Sequence, residues 1–164
     1  MCLLEIDGSH GRNTPMFNGF GILLLGLMTI FFPSNSIGSV PVEEAIQKRI
    51  DMFKSSGRNI KKLNKLIRSG DTSKAIELLD FHLEWSENMH LLFPLGSEAS
   101  TSNGSDASSD IWGDPIRFQN AIKQYNLASK ELKKSLRSRE SVSISETFKS
   151  FVGTCKGCHK QFRN

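Results

Sequence analysis

SISETFKSFVGTCKGCHKQFRN, residues 143–164, decides the fold. Ile144, Phe148, Phe151, Val152, Cys155, His159 and Phe162 recur at threes and fours, which is the repeat of one face of an α-helix. Ser143 and Glu146 are spaced as a capping box, so the helix is predicted to start there.

Upstream of it, the residues from Pro115 to Leu136 carry Phe118, Ile122, Tyr125, Leu132 and Leu136 at helical spacing. Before that comes SEASTSNGSDASSD, residues 97–110, small and polar with no apolar period. It reads as a loop anchored by Phe93, Pro94, Ile111 and Trp112. Asp71 or Thr72 can cap a further helix that runs to about His90 with Ile76, Leu79 and Leu83 on one face. His82 and His90, eight apart on it, read as surface or loop residues. The first amphipathic stretch, VEEAIQKRIDMFKSSGRNIKKLNKLIRS (residues 42–69), spaces Ile46, Phe53, Ile60 and Ile67 by sevens. Pro41, Glu43 and Glu44 suit its N-terminus, and Gly70 ends it. No convincing strand is left over. Four amphipathic helices, none able to bury its stripe alone, predict an all-α, antiparallel up-down four-helix bundle.

The N-terminal 39 residues read differently. Gly19 to Phe32 carries no charge; it is short for the roughly 20 residues of a spanning helix but suits the apolar part of an export signal. Ser36 and Gly38 supply small residues for cleavage nearby, whereas Arg12 is the only basic residue upstream. The expectation is a signal peptide at 1–39, removed to leave a periplasmic domain at 40–164; an uncleaved anchor is the alternative. Loss of Arg12, Glu5 and Asp7 would raise the formal charge from +4 to +5. The basic residues are spread over several helices with few aromatics between them, which is not a nucleic-acid platform. No acid/base pair or nucleophile arrangement marks a conventional enzyme.

On a helix, Cys155, Cys158 and His159 stand at i, i+3 and i+4, so both thiols and the imidazole share one face. C-x-x-C-H is the attachment signature of haem c, with thiols for the two vinyl groups and histidine for the iron. A zinc site would need His82 and His90 to complete it. A thioredoxin-type pair belongs at a helix N-terminus after a strand. A structural disulfide is open in an oxidising compartment.

With VEEAIQKRIDMFKSSGRNI, LLFPLGS, DIWGDPIRF and FVGTCKGCHKQFR in this order, the chain resembles the cytochrome c′ family of c-type cytochromes, itself a standard example of the up-down bundle. The resemblance spans about Val42 to Arg163. It implies one covalent haem c, with Cys155 and Cys158 as thioether residues and His159 as the axial iron ligand. It implies that Arg163 lies beside the imidazole, that Arg49 lies near a haem carboxylate, and that Asp106 touches the haem edge. Phe53 falls where the family faces the iron opposite histidine. A phenyl ring cannot coordinate, so the iron is expected to be five-coordinate and to bind nitric oxide or carbon monoxide, take part in electron transfer, or both. Met52, one residue away, is the alternative: as sixth ligand it would make a low-spin electron carrier. Ile50 replaces a common glutamine. Lys61, Lys62, Lys65 and Arg68 put in question a homodimer contact made on this helix. The redox partner is not specified by any of these residues.

Overall fold

The computed structural model describes residues 40–139 and 141–164; the expected export signal, residues 1–39, lies outside them. Four long helices form: α1 (Val42–Arg68), α2 (Thr72–Asn88), α4 (Pro115–Ser138) and α5 (Ser141–Phe162). A 3₁₀ turn at Met89–Leu92 extends α2, and a single helical turn, α3 (Asp110–Gly113), precedes α4. The described residues hold no strand, only one isolated antiparallel bridge between Ala107 and Arg163.

Local chemistry sets the helix ends. Gly70 at φ 74° reverses the chain after α1. Its amide and that of Asp71 bond back to Ile67 and Leu66 carbonyls at 3.1 and 3.0 Å, a Schellman closure that needs the left-handed residue. Asp71 then accepts the Lys74 amide at 3.2 Å and caps α2, so three residues join two antiparallel helices. Asp114 caps α4 through the Arg117 amide, with Pro115 preset at the first helical position. At the other end of α4, Arg139 takes φ 59°. The expected capping box at Ser143 and Glu146 is not used: α5 already begins at Ser141, and the Ser143 hydroxyl instead meets that of Ser135 at 3.0 Å.

The core is built from Ala45, Leu63, Leu79, Trp85, Phe118, Ile122, Leu132, Leu136, Ile144, Phe151 and Phe162, all buried. The stripe Ile46, Phe53, Ile60 and Ile67 does face it, though only Ile46 is fully covered. Helices α1 and α2, α2 and α4, and α4 and α5 pack closely in pairs. The backbones of α1 and α5 do not pack closely, and a crevice lined by residues of both opens between them.

One core layer is polar. His82, expected at the surface, has no exposed area at all. Its Nδ1 lies 2.6 Å from the Tyr125 hydroxyl and 3.5 Å from that of Ser56, and its ring packs edge-on against Phe151. Ser56, His82, Tyr125 and Phe151 thus bring one residue from each long helix to one level. Burial lowers the His82 pKa to about 4, because the dry surroundings oppose a cation; His90 is exposed, as expected.

Two predictions concern stability. The folded pKa of His82 is below the roughly 6.5 of an unfolded histidine, so the unfolded chain binds this proton first as pH falls. Its contribution, about 3 kcal/mol from the size of the shift, is intact above pH 7 and lost between about 6.5 and 4. Denaturant midpoints measured across that range will fall steeply in the wild type and less in His82→Gln. Arg139→Gly removes a left-handed non-glycine residue and should raise stability by about 0.5–1 kcal/mol in a denaturant titration.

Candidate haem c site

Helix α5 runs its last two turns along the crevice and presents Cys155, Cys158 and His159 to it, as their spacing requires. Both thiols are free, half-buried and packed against the core. Burial raises the pKa of each, Cys158 to about 11 with Cys155 adding to the effect. Both are therefore uncharged at neutral pH. Redox-active cysteines have depressed pKa values, so this pair has the opposite character from a thioredoxin-type site. The zinc alternative meets a geometric obstacle, since His82 is committed to Tyr125 inside the bundle.

Phe53 on α1 faces His159 directly. Their ring centroids are 5.7 Å apart at an interplanar angle of 77°, and Trp85 also packs edge-on against Phe53 at 5.3 Å. This contact pinches the crevice into two lobes. The outer cavity, about 370 Å³, is lined among others by Arg49, Ile50, Phe118, Asp106 and Arg163. The inner one, about 110 Å³, reaches Ser56, Trp85, Tyr125 and Cys155. Phe53, Met89, Cys158 and His159 border both. Met52 borders neither and packs against the core instead.

Arg49 is 3% exposed, yet among the described residues no carboxylate pairs with it. Its guanidinium donates to the Leu92 carbonyl at 3.0 Å, to both oxygens of Ser97 and to the Ser105 hydroxyl at 2.6 Å. It also lies 4.6 Å from the centre of the Phe93 ring. Burial lowers its pKa, but from so high a starting value that the group stays charged. A buried cation satisfied only by neutral oxygens retains an electrostatic preference for an anion at the cavity it borders.

Asp106 and Arg163, predicted to serve the cofactor separately, are brought together. The Asp106 Oδ2 accepts from Arg163 Nε at 3.1 Å and from a terminal nitrogen at 2.8 Å. Arg163 remains one turn from His159, with its amide on the His159 carbonyl at 3.2 Å. Partial desolvation and then the Arg163 charge lower the His159 pKa, which favours the neutral imidazole that binds metals. Ser97, Ser105 and Trp85 were not foreseen as part of the site. For Trp85 a signal existed, since it lies three residues after His82 and six after Leu79 on the buried face of α2.

The residues fit a flat, mostly apolar prosthetic group with a carboxylate at its edge. Two neutral thiols and an imidazole share a face, an apolar slot lies before them, and an unneutralised arginine borders that slot. The outer lobe alone falls within the roughly 300–1,000 Å³ of cofactor sites.

Comparison with known proteins agrees. The profile of the cytochrome c′ family matches residues 44–163. Cytochrome c′ of Rhodospirillum rubrum is 28% identical over 96 residues, a match covering 58% of this chain and 60% of that protein's length. Cytochrome c′ of Pararhodospirillum photometricum is 24% identical over 127 residues, or 74% of this chain and 97% of the relative. The fold is similar to the nitric oxide complex of a cytochrome c prime variant from Alcaligenes xylosoxidans. That structure has a TM-score of 0.65 at 17% identity, covering 75% of this chain and 96% of the other. By its sequence profile, its fold and its C-terminal cysteine pair, the chain belongs to the cytochrome c′ family, whose members bind one covalent haem c.

Proposed function

We propose that this chain is an exported haem c protein whose iron is held by the protein on one side only, by His159, and whose other face takes up nitric oxide or carbon monoxide. The observation that carries the reading is the Phe53–His159 contact. The side chain opposite the imidazole is a ring without a donor atom, and Met52 borders neither lobe of the crevice. The low-spin, methionine-ligated alternative would require α1 to turn by about 100° to exchange the two residues. The nitric oxide complex of the Alcaligenes relative supports the choice of ligand.

Each residue then has a role set by its chemistry. Cys155 and Cys158 would hold the group covalently, each thiol adding its S–H across a vinyl group to leave a carbon–sulfur bond. They anchor the ring at two points on α5. His159 offers a neutral nitrogen to the iron. Ferrous haem supplies the coordination position for the diatomic ligand. Arg49 would pair with a haem carboxylate and so receive the charge its described surroundings lack. Phe53, braced by Trp85, fills space and excludes both a sixth protein ligand and large exogenous ones. Gas uptake itself moves no electron; electron transfer is a second role the same group would support, on its own or beside gas binding. Binding and electron transfer, not substrate turnover, are the activities this arrangement supports.

Export is part of the proposal: residues 1–39 direct the chain to the periplasm, and residues 40–164 are the functional domain. Among the described residues no helix is long and apolar enough to cross a membrane.

Absorption spectra of oxidised and reduced protein, with and without carbon monoxide, test the reading. The expected result is a high-spin ferrous spectrum that shifts on adding the gas; a low-spin spectrum indifferent to carbon monoxide would overturn it. Phe53→Ala should speed carbon monoxide association by about tenfold or more, equivalent to at least about 1.4 kcal/mol of barrier. Phe53→Met should instead shift the iron towards low spin, and Met52→Ala should change neither property. Cys155→Ala combined with Cys158→Ala should leave pigment that acidified organic solvent extracts.

A further inference from the structure

The segment from Ser97 to Ser108 is a strap tied at both ends. Ser97 and Ser105 are buried against Arg49 of α1, and the Ser105 hydroxyl donates to the Ser97 carbonyl at 2.9 Å. The very next residue, Asp106, holds Arg163 of α5 through two donors on one carboxylate oxygen. The backbone seals this join. The Asn164 amide bonds the Asp106 carbonyl at 2.9 Å, the Ser108 amide bonds the Phe162 carbonyl at 3.0 Å, and Ala107 bridges Arg163. An ion pair as exposed as this one, at 58% and 56%, stabilises a fold by only about 0–1 kcal/mol. Its location matters more than its strength. Both side chains border the outer lobe, and Arg163 is one helical turn from His159, whose basicity its charge already lowers.

We propose that Asp106 is a positioning residue that acts through Arg163: it fixes the guanidinium at the mouth of the crevice and offsets its charge there, so that the strap sets the field at the iron ligand. Asp106 on this account does not touch the cofactor. The proposal rests on the haem reading above for its readout, but not on gas binding. Releasing Arg163 leaves an unneutralised cation free to approach the ring, and a nearby positive charge favours the reduced, less positive iron.

The test is the reduction potential of the haem-loaded protein at low ionic strength, for wild type, Asp106→Asn, Asp106→Glu, Arg163→Gln and the Asp106→Asn/Arg163→Gln pair. Circular dichroism checks that each variant keeps its helices. Asp106→Asn should raise the potential and Arg163→Gln should lower it. Asp106→Glu, which keeps the carboxylate, should return the potential towards wild type. The decisive comparison is the Asp106→Asn shift in two backgrounds: it should be at least twofold larger with Arg163 present than with glutamine there. Equal shifts would mean that Asp106 acts as an independent charge, and no shift in either background would mean that the pair does not reach the iron; either result overturns the proposal. Because a potential can be read whether or not carbon monoxide binds, failure here is separable from failure of the gas-binding assignment.

Discussion

The structure depends on a buried cation that, among the described residues, has no carboxylate beside it. Removing a guanidinium from water is costly unless its donors are met, and Arg49 meets that demand with four oxygens from the segment between Leu92 and Ser105 and with the face of Phe93. A stretch that would otherwise run free over the bundle is thereby drawn against α1. The bound stretch in turn fixes Asp106, Ala107 and Ser108, which fix the end of α5. Helices α1 and α5, whose backbones do not pack closely, are thus linked through a third element as well as by the Phe53–His159 contact across the crevice.

This division explains what could be read from residues alone. The four long helices follow from apolar periods, and the turn at Gly70 and Asp71 follows from residues with one conformational use each. The cysteine pair and histidine specify a cofactor by spacing. The strap was not legible, because serines in a small, polar stretch carry no signal for burial. Ser97 and Ser105 are inside only because Arg49 needs oxygens, a fact of tertiary structure. Short helix α3 was hidden for a similar reason: one turn is too brief to show a period.

His82 is a different kind of miss. Counting from Ala75 and Leu79, position 82 falls on the buried stripe of α2, together with Trp85 and Ser86. The stripe read from the sequence, Ile76, Leu79 and Leu83, left it out, and side-chain polarity argued for the surface. The outcome was decided by partners on other helices: Tyr125 and Ser56 supply polar atoms for Nδ1, and Phe151 and Phe81 cover the ring. Among the described residues, neither Nε2 of His82 nor Nε1 of Trp85 meets a hydrogen-bond partner. Aromatic contacts with Phe81 and Phe151 surround the His82 ring, and Trp85 packs against Phe53.

The terminal motif and α1 therefore control different things. A C-x-x-C-H face on any amphipathic helix can hold a haem, but it says nothing of what the iron meets on the other side. That is set by which α1 residue points across the crevice, and adjacent positions on a helix diverge by about 100°. Arg49 and Phe53 are four apart, hence on one face, so the residue that anchors the strap and the residue opposite His159 share an orientation. A rotation of α1 large enough to bring Met52 to the iron would pull Arg49 off its four oxygens and leave a buried charge unmet. The cation that ties down the strap thus also holds the phenyl ring towards His159, so on the proposed reading the side chain facing the iron is fixed by an interaction that never touches it.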